Sequence, residues 1–190
     1  GNYLFLDIHH IVADGTSLGI ILNDINRAYS GEKLEVEEYT SYDLALDNRD
    51  ALASDAYKNA ENYYKSVFEN AGGSINFYPD KSGAAPTAEM YHRETSEFSV
   101  QDVKEFCKKH GITENVFFIS AFGITLGKYN FRKDAVFTTI YHGRNDSRLS
   151  DTVRMLVKTL PVYCDFSGST ADCLNAVQHQ LINSMNNDIY

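Results

Sequence analysis

The sequence contains no tryptophan, and it has only three cysteines and three prolines in 190 residues. The cysteines, Cys107, Cys164 and Cys173, are odd in number and far from CxxC spacing, which predicts reduced, buried thiols in a cytoplasmic protein. No apolar run reaches the length needed to span a membrane, and the first residues lack the basic region of a signal peptide. Basic residues are also few: 17 against 26 acidic ones give a net charge of −9, which argues against nucleic acid or an anionic membrane as the main partner.

Several enzyme signatures are absent as well. The sequence has no G-x-S-x-G segment for a serine nucleophile and no glycine-rich loop that would cradle a phosphate. Its histidines and cysteines do not have the spacing of a zinc site, so we expect no metal. The chain is long enough to bury a sizeable core and suggests one domain, or parts of two.

The most informative segment that is present is His9-His10-Ile11-Val12-Ala13-Asp14-Gly15. Apolar residues before it predict a buried strand over residues 2–8, and helical spacing after it predicts a helix over 17–29. In an extended backbone the two imidazoles point to opposite faces, so only one of them faces a given cavity. An imidazole at the end of a strand is well placed for proton transfer, and Gly15 leaves space for a ligand.

Periodicity and capping residues predict the remaining elements. Ser99 is a helix N-cap, and Gly111 ends the helix that follows it. Residues 71–86 and 142–150 read as loops. The other predicted helices span residues 41–48, 54–70, 114–129 and 170–186, and the other predicted strands span residues 90–98, 135–141 and 159–165. Because strands and helices alternate, the pattern favours an α/β sandwich.

The segment His9–Gly15 resembles the HHxxxDG motif of the condensation domains of nonribosomal peptide synthetases, whose core HxxxDG marks the wider chloramphenicol-acetyltransferase-like superfamily. Tyr141-His142-Gly143-Arg144 follows a predicted strand, as the family's Gly-Arg loop does. Met155–Val162 is similar to the family's FVNTLP segment. Residues 39–42 resemble, less closely, a family motif rich in Tyr, Asp and Trp. These segments occur in the family's order and cover essentially the whole chain.

The resemblance implies a fold and a place in it. We expect a two-layer α/β sandwich of the CoA-dependent acyltransferase type, with residues 1–30 at the end of the N-terminal lobe and residues 31–190 as most of the C-terminal lobe. On this reading the chain is an incomplete piece of a condensation domain. It departs from the family at Lys158, where Asn is usual, at Arg154, where Gly is usual, and in lacking the tryptophan of the tyrosine motif.

The resemblance also implies roles for individual residues. His10 is the expected catalytic residue, either deprotonating or positioning an amine, and His9 a buried supporting residue. Asp14 is expected to be structural and to pair with Arg144, and Gly15 to leave room for a pantetheine arm. The residues expected to line the channel are Ser17, Lys158 and Thr159.

The implied reaction is amide bond formation between aminoacyl or peptidyl thioesters carried on the 4′-phosphopantetheine of carrier proteins, with no cofactor bound directly. The implied partners are the upstream and downstream carrier domains and an adjacent adenylation domain. Three alternatives stay open: an epimerization domain, a non-catalytic carrier-binding domain of the same fold, and a CoA-dependent small-molecule acyltransferase. The Leu156–Pro161 run favours condensation over epimerization, and the intact motif argues against a non-catalytic domain. We expect the 190 residues alone to be inactive.

Overall fold

The computed structural model describes residues 3–73, 75–77, 94 and 97–190. Six α-helices and two β-strands form in this part of the chain, and the two strands hydrogen-bond to each other in one sheet. This combination of helices and sheet confirms the predicted α/β class. No helix in this part of the chain is both long and apolar enough to cross a membrane. The helices are α1 (Gly15–Tyr29), α2 (Ser41–Ala51), α3 (Asp55–Phe68), α4 (Val100–His110), α5 (Glu114–Tyr129) and α6 (Thr170–Asn186), and the strands are β1 (Asp134–Tyr141) and β2 (Lys158–Asp165).

Local capping explains why most predicted helices form where they do. The Ser99 hydroxyl accepts the amide N–H of Asp102, whose carboxylate in turn accepts the Ser99 amide N–H at 2.6 Å, and Gly111 ends α4 with φ of 64°. This reciprocal arrangement satisfies donors that the first helical turn leaves unpaired. These contacts lie within a few residues of each other, so the predicted limits of α4 are confirmed.

The chain divides into two compact units, one formed by residues 64–139 and 161–186. Its core is apolar and draws on α4, α5, β2 and α6. All three cysteines lie in this unit, where they are free and buried as predicted. The core residues are Val103, Cys107, Ile112, Val116, Ile119, Val162, Cys164, Cys173, Leu174, Val177 and Leu181.

The other unit consists of residues 1–63, 140–160 and 187–190, and it contains the histidine motif, α1, α2 and the Gly-Arg loop. Its last residues are fastened at two points. The Lys158 ammonium donates to the Asp188 carbonyl at 2.8 Å and lies 3.2 Å from the Asp188 carboxylate. The rings of Tyr57 and Tyr190 lie 5.2 Å apart. This unit carries all of the predicted site residues.

The predicted buried strand over residues 2–8 is wrong for the described residues, because residues 3–8 have no regular structure and Tyr3 and Phe5 are 98% and 88% exposed. A strand needs a neighbour to satisfy its backbone N–H and C=O groups, and none of the described residues forms one beside this segment. The predicted strand over residues 90–98 lies mostly outside the described residues.

Candidate active site

The histidine motif forms a tight turn that leads into α1. The amide N–H of Val12 donates to the His9 carbonyl at 3.1 Å, and that of Ile11 donates to His9 Nδ1 at 3.1 Å. Both imidazoles are exposed, so the expectation that His9 is buried is wrong here; the segment before it is not packed as a strand. Across the described chain, no side chain or backbone group hydrogen-bonds to the His10 imidazole, which leaves it open to an incoming group.

Asp14 ends this turn and is the most deeply buried charged residue of the motif. It is the N-cap of α1, and its Oδ1 accepts the Ser17 amide N–H at 2.8 Å. Arg144 Nη2 lies 3.0 Å from Asp14 Oδ1 and 3.3 Å from Oδ2, with the two side chains 6% and 1% exposed. The ion pair predicted between Asp14 and Arg144 is therefore present, and it joins residues 130 positions apart in the sequence.

Further donors converge on the same carboxylate. The Ser17 hydroxyl donates to Asp14 Oδ1 at 2.8 Å, and the Leu156 amide N–H donates to Oδ2 at 3.1 Å. Burial alone raises the pKa of Asp14, but the hydrogen bonds from Ser17, Leu156 and Arg144 outweigh it and lower the pKa to about 2. Asp14 is therefore ionised at neutral pH, and both of its carboxylate oxygens accept hydrogen bonds.

Arg144 is held equally firmly by backbone oxygens. Its Nη1 donates to the carbonyls of Leu149 and Thr152 at 2.6 and 2.9 Å. The residue before it, Gly143, has φ of 69°, and a Cβ at that position would collide with the Leu156 carbonyl oxygen. Glycine is the residue that fits this conformation and this close approach, which gives the Gly-Arg sequence a physical reason.

Ser17 lies inside this network and not on a channel wall. Its hydroxyl, which donates to Asp14, accepts the Arg154 amide N–H at 2.9 Å and lies 2.8 Å from the Arg154 carbonyl oxygen. The residue is completely buried, so the expectation that it lines a channel is wrong. The serine hydroxyl instead connects the start of α1 to the backbone that precedes β2.

The other expected site residues are less constrained. A Cβ on Gly15 would meet nothing within 4 Å, so that position faces open space. Thr159 is exposed, and the side chain of Lys158 is directed to Asp188. The roles of these three residues stay predictions.

Sequence reasoning missed several members of the network. The Leu156 amide and the carbonyls of Leu149 and Thr152 are backbone groups, which every residue carries, so no residue type marks them. Asp188 was missed as the partner of Lys158. A lysine at a position where the resemblance implies asparagine is the signal that would have prompted a search for a carboxylate.

Comparison with known proteins identifies the family of the chain. The condensation-domain family profile matches residues 1–190. Nonribosomal peptide synthetase sidC of Arthroderma benhamiae is 28% identical over 189 residues, which is 98% of this chain but 4% of that synthetase. This chain therefore spans a small part of the curated relative that it matches.

Solved structures give the fold. The first condensation domain of the calcium-dependent antibiotic synthetase, in complex with a substrate analogue, matches 96% of this chain and 42% of its own with a TM-score of 0.75 at 17% identity. An epimerization domain of tyrocidine synthetase matches 96% of this chain and 46% of its own, with a TM-score of 0.65 at 17% identity. These likenesses confirm the predicted acyltransferase-type fold, and the profile match shows that the chain belongs to the condensation-domain family.

Proposed function

We propose that this chain supplies part of an active site that joins two carrier-tethered acyl groups through an amide bond. The amine of the downstream aminoacyl thioester attacks the carbonyl carbon of the upstream thioester. A C–N bond forms, the C–S bond breaks, and the proton lost by the amine balances the thiol that is released. The observation that carries this proposal is the intact motif, in which an exposed His10 lies four residues from the buried Asp14 anchor.

His10 acts directly on the amine. Its exposed imidazole either takes the proton from nitrogen as the C–N bond forms or holds the amine in line with the carbonyl. Asp14 has a structural role. A carboxylate with a pKa of about 2 that is bound by Arg144, Ser17 and Leu156 is a poor proton carrier at neutral pH. His9 supports the turn through its contacts with Ile11 and Val12.

The same proposal places this chain beside carrier domains in a cytoplasmic synthetase. The substrates arrive on the 4′-phosphopantetheine of an upstream and a downstream carrier domain, and an adjacent adenylation domain loads the downstream one. Gly15 leaves open space for the arm, and Lys158 and Thr159 contribute to the channel wall. The support for these partners is family membership together with the open space at Gly15.

The test is a single-turnover assay in the complete synthetase with both carriers loaded. We expect His10→Ala to lower the rate of amide formation by about 10² or more, because a positioned acid–base group contributes at least that factor. His179→Ala is the matched control, since this histidine is exposed on α6 in the other unit. An unchanged rate in His10→Ala would remove the mechanism.

The product of the same assay separates condensation from epimerization. Amide formation with retained configuration supports the proposal, whereas inversion of a single tethered residue without a new amide supports the alternative. The His10→Asn variant then separates the two roles of His10: an amide side chain that still forms hydrogen bonds keeps part of the rate if the imidazole positions the amine, and loses it if the imidazole takes the proton.

The proposal also predicts that residues 1–190 alone do not form the amide. The described residues leave His10 exposed, and a reaction between two tethered groups needs a water-excluding channel around it. Measurable amide formation by these 190 residues with two loaded carriers would show that a further channel wall is not needed.

A further inference from the structure

A cavity of about 780 Å³ lies within the unit that contains the histidine motif. Gly143 of the Gly-Arg loop lines it, which places the cavity next to the Asp14 network. Seven of its seventeen lining residues carry charged side chains. They are Asp47, Arg49, Asp146, Arg148, Arg154, Lys158 and Asp188.

The carboxylates of this lining are already bound by cations. Arg148 Nη2 lies 3.2 Å from Asp47 and 2.6 Å from Asp146. Lys158 Nζ lies 3.2 Å from Asp188. Asp47 and Asp146 share the single Arg148 guanidinium, whereas Asp188 pairs with Lys158.

Arg154 makes no direct ion pair with any of these three acids. Its Nη1 donates to the Ser41 carbonyl at 2.6 Å, and no carboxylate within the described residues lies within ion-pair distance of its guanidinium. Arg49, by contrast, pairs with Asp50 at 2.9 Å. The cavity thus presents one arginine whose other N–H donors are available to a ligand.

The backbone of Arg154 is held in place by a hydrogen bond to Ser17. The Arg154 amide N–H donates to the Ser17 hydroxyl at 2.9 Å, and that hydroxyl donates in turn to Asp14 Oδ1 at 2.8 Å. A cationic side chain on a fixed backbone is partly pre-organised, because the backbone that carries it does not have to be ordered when a ligand binds.

We propose that Arg154 forms an anion subsite beside the Asp14 network, where it binds an anionic group on a tethered substrate; this rests on the proposed function. The planar guanidinium matches a carboxylate or a phosphate through two parallel N–H donors. The group is either the side-chain carboxylate of an acidic aminoacyl unit or the phosphate of the carrier arm. Both groups are oxyanions that accept two N–H donors, and binding of matched probes separates them.

The experiment measures binding of stable amide analogues to the complete synthetase by isothermal titration calorimetry. One pair of probes compares glutamyl with glutaminyl cysteamine amide, and the other compares alanyl phosphopantetheine amide with alanyl pantetheine amide. We expect the anionic member of one pair to bind about threefold to tenfold more tightly, as a partly exposed charged hydrogen bond would provide.

Three variants locate this preference. Arg154→Gln is expected to abolish it, Arg154→Lys to retain part of it because the charge remains without the bidentate fork, and Arg49→Gln to leave it unchanged. A preference in the glutamyl pair identifies a carboxylate ligand, and one in the phosphate pair identifies the arm. The inference is overturned if neither pair shows a preference, or if the preference survives in Arg154→Gln.

Binding is measured without turnover, so the two proposals fail separately. A synthetase that makes no amide from any tethered substrate refutes the proposed function, while its anion preference still reports on Arg154. Amide formation without an Arg154-dependent preference refutes the subsite alone.

Discussion

Replacing Asp14 by Asn tests whether this buried carboxylate holds the turn of the histidine motif in place. Asn has nearly the same size but carries no charge, and its amide nitrogen cannot accept the donors that converge on the carboxylate from Ser17, Leu156 and Arg144. The change therefore isolates electrostatics and hydrogen bonding from packing.

The magnitude follows from the pKa and the burial. The pKa of Asp14 falls from an ordinary 3.8 to about 2, and at about 1.4 kcal/mol per pKa unit this gives roughly 2 kcal/mol of stability to the ionised form. Loss of the partner also leaves Arg144, 6% exposed, without a compensating charge. Breaking a buried pair in this way costs about 3–5 kcal/mol in total.

The sign of the pH dependence is fixed by the lowered pKa. The contribution of Asp14 is fully present above about pH 4 and is lost as the pH falls through the pKa of the folded state, about 2. The difference in unfolding free energy between the wild type and Asp14→Asn is therefore expected to shrink on acidification from pH 5.

The assay is urea unfolding of the 190-residue chain followed by circular dichroism, at pH 7 and in steps down to pH 3. Asp47→Asn is the matched control, because Asp47 pairs with Arg148 at 3.2 Å with both side chains more than half exposed. Exposed pairs are worth about 0–1 kcal/mol. A loss in Asp14→Asn no larger than that in Asp47→Asn would refute the reasoning.

Three further predictions concern the scaffold. Gly143→Ala should destabilise the chain by more than the roughly 1–3 kcal/mol of left-handed strain, whereas Gly31→Ala, with φ of 84° and open space, should show that strain alone in urea unfolding. Leu181→Ala, 3% exposed, should lose about 2–5 kcal/mol, against under about 1 for its neighbour Ile182→Ala, 52% exposed. The exposed apolar side chains of residues 3–12 and of α1 should cause self-association, and a monodisperse monomer across a wide concentration range in ultracentrifugation would contradict this.

The parts of the fold that the sequence predicts are those determined by nearby residues. The limits of α4 follow from Ser99, Asp102 and Gly111, all within one helix. The strand before the motif was mispredicted because an apolar run specifies a strand only when another strand lies beside it, and residues 3–8 have no such neighbour in the described chain.

The candidate site divides in the same way. The Asp14–Arg144 pair was predicted through the resemblance to a family, since no local pattern relates residues 130 positions apart. Ser17 was misplaced because its burial depends on the Arg154 backbone, 137 positions away, and a hydroxyl looks the same in a sequence whether it faces a channel or a carbonyl.

These long separations bear on how the site is made during synthesis. The Asp14 carboxylate reaches its last donor, the Leu156 amide, across 142 positions. Closing so long a loop costs entropy that is recovered only when the distant contacts form. A nascent chain therefore cannot complete the set of donors around Asp14 until residue 156 has emerged from the ribosome, and chains truncated before that residue lack the Leu156 donor even when α1 is helical.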